Sequence, residues 1–303
     1  MQLGRILLLT SYGTSPTVDD LSLSLGQIVS SAGPSVPDPA ASHYLQSLTE
    51  TRRDEVIYQT DLQTGRIDWS LGIQQCLGYP DVTGQPLPPD YLSGHIPQSL
   101  QSWYRVFRNA ALLVMIRRAQ EENPNPLRFA DLHFVAHFSL RKASGEIIQV
   151  KETIMPFYSD ARGRITRFLH RIILFGYPQE VPLQPQLYYQ DQSSPDLYTA
   201  LIRKVAGVCR LRRNESNLTS QQFLLTDVIE NLLIKQLPLS PAEIAHYLDN
   251  TSSPDTVRRH LDRIKNRLLL LAGDPYFPGN ALQVIRYLQQ SGFIDVLKVL
   301  KEG

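Results

Sequence analysis

Between Pro254 and Leu271 the chain reads PDTVRRHLDRIKNRLLLL, and it carries the densest set of chemically competent side chains in the molecule. Val257, Leu261, Ile264, Leu268 and Leu271 recur at steps of four, three, four and three, which is one apolar stripe of a helix. The remaining faces hold Arg258, Arg259, His260, Arg263, Lys265, Asn266 and Arg267 against Asp255 and Asp262. Long cations on a helix with a dry back supply charge for phosphates and donors for base edges, so the chemistry they could do is nucleic-acid recognition; a capped hairpin with a solvated basic face is the other reading. From the helix direction, Thr256, Arg259, His260 and Arg263 are expected to face a major groove, with Arg258 and Arg267 on phosphates. Residue sets that would make or break bonds do not turn up: there is no Walker loop, His-Glu-x-x-His pair, zinc-type cysteine spacing or Gly-x-Ser-x-Gly turn. Glu121-Glu122 and Asp19-Asp20 read as adjacent surface carboxylates, not a catalytic pair. No enzyme is expected, and no cofactor or metal.

Such a helix needs a support, and the residues before it supply one. Ser240-Pro241-Ala242-Glu243 is a capping box with proline at the first helical position. It opens a short helix to Leu248 that turns Ile244, Ala245 and Leu248 inward. Asp249 to Ser253 breaks the period, and Ser253-Pro254 restarts it by the same chemistry. The set Glu243-Ile244-Ala245, Leu248, Thr256-Val257, His260, Ile264 and Leu268 resembles the helix-turn-helix of LuxR-type bacterial regulators. It departs from that family in a longer turn and in Pro238, where glycine is usual. The resemblance implies groove binding by the second helix and a supporting, dimer-contacting last helix, here Asn280 to Phe293 and beyond. Alternatively, that last helix is an extra packing layer under the second helix of the pair.

Upstream, a second organised region is expected. It opens on a helix from Ser42, with Tyr44, Leu45 and Leu48 on one side. Val56 to Ser70 gives two strands about a turn at Gln63-Thr64-Gly65, followed by a short helical stretch ending at Gly78 and Pro80. Ser99 to Gln120 is a long helix carrying Trp103, Phe107, Ala110, Ala111 and Val114 on its packing side. Three strands close the unit, roughly Leu127 to Lys142, Glu146 to Tyr158 and Ile165 to Phe175. Along Leu132 to Leu140, apolar residues alternate with His133 and His137, which places those histidines away from the core. His170 lies between Phe168 and Ile172 and is the histidine expected inside. This element order, with Tyr58-Gln59-Thr60-Asp61-Leu62, Trp69-Ser70 and Leu77-Gly78-Tyr79-Pro80, resembles a PAS domain over about Glu55 to Phe175. That resemblance implies a sensory or dimerising module, with a possible small apolar or aromatic ligand near Trp103, Phe107, Phe138 and His170. An Asn-Cys-Arg-Phe flavin motif does not occur, and a packed core without ligand is the other open reading.

Length and composition bound the rest. At 303 residues the chain can bury two cores, and its net charge of +1 means any nucleic-acid footprint is local. Cys76 and Cys209, far apart, point to no disulfide framework and fit a reducing cytoplasm. No apolar run approaches the roughly 20 residues of a membrane span, and the opening MQLGRILLLTSYG is a poor secretory signal. The expected organisation is a disordered or loosely attached segment 1–42, a PAS-like unit 43–175, a Pro/Gln-rich linker 176–195 and a helical unit 196–303. The expected fold class is therefore α+β: a five-stranded antiparallel sheet with flanking helices, followed by an all-α domain. The function these readings imply is a dimeric, PAS-regulated transcription regulator acting on double-stranded DNA. The alternative is a signalling adaptor whose helical unit docks on a protein partner.

Overall fold

The computed structural model describes residues 35–37, 54–62, 64–80, 87–88, 91–121, 131–160, 163–175, 184–189, 192–211, 220–248, 252–272, 280, 283, 285, 288 and 291–302. The first strands follow the expected hairpin: β2 (Glu55–Asp61) and β3 (Ile67–Leu71) pair antiparallel, Tyr58 opposite Ser70. A short helical turn, Ile73–Leu77, follows Gly72. A side chain at Gly72 is excluded twice over: its φ is +84°, and a Cβ would lie 2.3 Å from the Glu55 carbonyl oxygen. The long helix is α1 (Gln98–Glu121). Three long strands close the unit, β4 (Leu132–Arg141), β5 (Ile147–Asp160) and β6 (Ile165–Leu174).

The sheet is antiparallel throughout and larger than the five strands expected. Its order is β3-β2-β6-β5-β4-β7-β8, where β7 is Gln184–Tyr189 and β8 is Gln192–Ser193, and β1 (Ser35–Pro37) pairs with β5. The extra strands lie in stretches read as unstructured. β7 and β8 fall within the expected linker 176–195, and β1 falls within 1–42; the rest of 1–42 lies outside the described residues, as does nearly all of the helix expected from Ser42. Composition misled here because a strand lying along β4, with Leu187 opposite Phe134, needs only one inward apolar residue in two, and QPQLYY supplies that.

One face of the sheet holds the main core. Phe134, Phe138, Leu140, Phe168 and Ile172 point to it, and Trp103, Tyr104, Phe107, Ala110, Ala111 and Met115 of α1 pack on it, all essentially sealed from solvent. Burying each large apolar side chain of this set contributes about 1.5–3 kcal/mol before conformational entropy is subtracted. The other face carries a small cluster of Ile57, Phe157 and Leu169, edged by Trp69, Met155 and Tyr158.

Helices follow the sheet: α2 (Pro195–Leu211), α3 (Ser220–Ile234), α4 (Pro241–Leu248), α5 (Pro254–Ala272) and α6 (Phe293–Glu302). The caps read from sequence form. Ser240 Oγ accepts from the Glu243 amide at 3.1 Å, and Ser253 Oγ accepts from the Thr256 amide at 3.2 Å. Asn280 and Gln283 exchange side chain-to-amide hydrogen bonds at 3.0 and 2.9 Å. The last helix, α6, packs on α2 and α3 and also meets α1, so its burial is against these helices and not mainly against α5. No helix among the described residues is long and apolar enough to cross a membrane.

Candidate functional site

Two sites emerge, one exposed and one sealed. The exposed one is the outer side of α5. Val257, Leu261 and Ile264 are fully buried, which fixes the rotation of the helix and turns Arg258, Arg259, Asp262, Arg263 and Asn266 outward. Thr256, Arg259, His260 and Arg263 follow one another at helical neighbour spacing and so share one stripe. From 254 to 266 the helix carries four cations against two carboxylates.

Partners decide how much of that charge is available. Arg258 donates to Asp255 Oδ1 at 2.9 Å, but both side chains are well exposed, so the pair is worth at most a few tenths to about 1 kcal/mol and a phosphate can compete. Arg259 Nε donates to the Asp255 carbonyl at 3.4 Å. Partial burial, together with the neighbouring Arg263 and Arg259, pulls His260 below the ordinary histidine range, so its ring is neutral near pH 7. Its Nδ1 is buried without a hydrogen-bond partner among the described residues. The side chains of Arg267, Leu268 and Leu271 lie outside those described.

The sealed site sits where α1 crosses β2, β5 and β6. Glu152, on the inward side of β5, is wholly buried. Its Oε1 accepts from the Tyr58 hydroxyl at 2.6 Å and lies 3.0 Å from His170 Nδ1; its Oε2 accepts from the Tyr104 hydroxyl at 2.5 Å. His170 Nε2 is 3.0 Å from Thr60 Oγ1, and its ring stacks on Tyr58 with centroids 4.2 Å apart. Sheet register makes this possible: Tyr58 and Ile154 both stand opposite His170, and Glu152 lies one inward position along from Ile154. Arg108 stands one turn from Tyr104, its guanidinium 5.5 Å from that ring.

Protonation follows from partner chemistry. Burial alone would push the Glu152 carboxyl up, but hydrogen bonds from His170 and the two phenols outweigh it and hold it below the usual range. Burial depresses His170, against the pull of Glu152, and leaves the ring neutral. An ionised carboxylate accepts only, so Nδ1 carries the ring hydrogen and Nε2 accepts from Thr60. Burial and the adjacent carboxylate push Tyr58 and Tyr104 well above the ordinary phenol range. The Glu152 carboxyl thus sits among three donors inside an apolar core.

The four residues expected near a ligand, Trp103, Phe107, Phe138 and His170, are all buried. Trp103 lies 6.1 Å from Phe107 between ring centroids and 4.8 Å, edge-on, from Phe293 of α6. Phe138 meets Tyr104 at 4.9 Å, and His170 joins Tyr104 through Glu152. Of the residues that link these groups, Tyr58 stands in the sequence reading only as part of the PAS-like opening motif, and Tyr104 and Glu152 do not figure in it. A signal for one existed: Ile148, Val150, Glu152 and Ile154 alternate along β5, so the register of three apolar residues already pointed the carboxylate inward. His133 and His137 are half-buried on the other side of β4, stacked on Tyr188 and Phe175.

No protein-family model matches the chain, and no curated protein matches it. Among solved structures it is similar to a phage VqmA–DPO complex, at 14% identity over 84% of this chain and 89% of that one, with a TM-score of 0.27. It is also similar to a Vibrio cholera VqmA–ligand–DNA complex, at 14% identity over 85% and 92% of the two chains, with a TM-score of 0.26.

Proposed function

We propose that the chain is a PAS-type sensory regulator that binds double-stranded DNA through α5. The observation that carries this reading is the capped α4–α5 pair. Its dry side, Val257, Leu261 and Ile264, seats α5 on the core, and its opposite side offers Thr256, Arg259, His260 and Arg263 in one stripe, with Arg258 beside it. The element order of the first half supports a PAS-type unit: a hairpin, short helical turns, a long helix and three antiparallel strands. In this reading Thr256, Arg259, His260 and Arg263 meet base edges, and Arg258 and Arg267 meet phosphates. Any small ligand of the sensory unit would lie among Trp103, Phe107, Phe138 and His170. A homodimer would place two copies of α5 on successive half-sites.

Selection of bound sites from random duplexes, followed by retardation of the recovered site across a salt series, tests the assignment. Binding should weaken steeply as salt rises, because each neutralised phosphate releases counterions. Failure to enrich any duplex, with the protein folded, would remove the reading.

One observation favours a second reading, an adaptor that docks on a protein. Ile234 at the end of α3 is 72% exposed, and Tyr247 of α4 is 43% exposed with Lys235 beside its ring. Association through these exposed apolar side chains would depend on salt far less than duplex binding does, which separates the two.

A further inference from the structure

We propose that α6 is the element through which the buried Glu152 cluster controls the helices that carry α5, with the Trp103–Phe293 contact as the coupling point. The proposal rests on the regulatory reading above and adds its internal route. Trp103 and Tyr104 are consecutive on α1. The hydroxyl of Tyr104 is held 2.5 Å from Glu152 in the sheet, and the indole of Trp103 packs edge-on, at 4.8 Å, against Phe293. Both rings of that contact are sealed from solvent, and the indole N–H has no hydrogen-bond partner among the described residues, so the Trp103–Phe293 contact is one of packing. Trp103 and Tyr104 share one backbone segment of α1, so a shift of that turn on loss of the Tyr104–Glu152 hydrogen bond would change the packing of the indole on Phe293.

What receives that motion is well fixed on its far side. Tyr198 of α2 donates to Asp295 Oδ2 at 3.0 Å, and Lys298 pairs with Glu230 of α3. The chain enters α6 at Gly292, with φ +68° and a Cβ position only 2.9 Å from the Tyr198 hydroxyl, so no slack exists at that end. Helix α3 in turn packs on both α4 and α5. A displacement at Phe293 would reach the α4–α5 pair through α3, on which Glu230 lies. The partner groups around Glu152 come from three elements besides its own: Tyr58 and Thr60 of β2, Tyr104 and Arg108 of α1, and His170 of β6. Any event that alters this ring of donors, a ligand or a proton, acts on the same lever.

Spatial continuity is not coupling, so the test is a double-mutant cycle read by amide hydrogen exchange on the full chain. The four proteins are wild type, Tyr104→Phe, Phe293→Leu and the double variant, each checked for native circular dichroism. Tyr104→Phe removes one hydroxyl and should speed exchange of the α5 amides around Leu261 by roughly threefold to tenfold, a coupling of ordinary size. In the Phe293→Leu background the same change should leave α5 exchange where Phe293→Leu alone put it. Equal effects of Tyr104→Phe in both backgrounds, or no effect on α5 in the wild type, would overturn the proposal. Should Phe293→Leu fail to fold, Phe293→Met takes its place with the same two outcomes. The exchange pattern decides this point without DNA. Loss of the DNA-binding reading alone would show as absent retardation with the exchange coupling intact.

Discussion

Glu152 is the residue on which the sealed site turns, because three donors converge on its carboxylate. Glu152→Ala should cost about 3–5 kcal/mol, the penalty of stranding buried polar groups, and equilibrium denaturation would measure it. Glu152→Gln keeps one acceptor and should cost less, about 1–3 kcal/mol. A loss below about 1 kcal/mol for the alanine variant would mean that water or rearrangement satisfies the phenols, and the closed cluster would not describe the protein in solution. The same residues set a pH dependence of definite sign. Both Glu152 and His170 are depressed in the folded state, so each binds fewer protons folded than unfolded. Stability from His170 is therefore complete above its unfolded value near about 6.5 and is lost as pH falls from there toward the lower folded value; Glu152 adds a further loss below about 4.3. Burial also depresses His95 and His137, which contribute in the same direction. The test is consequently a difference: melting temperature should fall between about pH 7 and 5 more steeply for wild type than for His170→Gln. Parallel curves would remove His170 from the account.

At the scale of elements, α5 is held by a cap and a stripe, and each can be removed separately. Ser253→Ala deletes the acceptor for the Thr256 amide and should destabilise by about 1 kcal/mol while leaving the basic face in place. Arg263→Ala leaves the fold alone, since that side chain is exposed, and should weaken binding of the selected duplex by about 1–3 kcal/mol and relax specificity at the base it reads. A variant with unchanged retardation on every duplex would take Arg263 out of the interface. Caps and stripes were legible in the sequence because they are local: Ser240, Ser253 and Asn280 act within three residues, and Val257, Leu261 and Ile264 declare their face by spacing alone. The long helix and the three closing strands were legible for the same reason. What escaped was non-local. Tyr58 and Glu152 are 94 residues apart, and only the pairing of both β2 and β5 with β6 brings them together. Nothing in QPQLYY marks it as a strand until β4 is beside it, and nothing in Trp103 names Phe293 as its neighbour.

The whole molecule carries one consequence that neither half shows by itself. The main core runs without interruption from Phe134 and Phe168 in the sheet, through Trp103 and Phe107 on α1 and Leu201 and Val205 on α2, to Ile229, Leu261 and Phe293. A sensory unit and an output unit joined by a solvated linker would unfold separately; units sharing one core should not. Thermal or denaturant unfolding of the full chain should therefore give a single transition, with tryptophan fluorescence and far-ultraviolet circular dichroism superimposing. Trp69 lies on the far face of the sheet and Trp103 in the seam, so fluorescence reports the sheet unit and its contact with α6, while the far-ultraviolet signal reports the helices. Phe293→Ala attacks the seam alone. It should cost about 3–5 kcal/mol and, by opening the contact between α1 and α6, let the helical signal depart before the sheet signal. Two resolved transitions in the wild type would contradict the shared core at its root, because the seam would then be too weak to make the halves one cooperative body, and α6 could not hold α5 in a position set by α1.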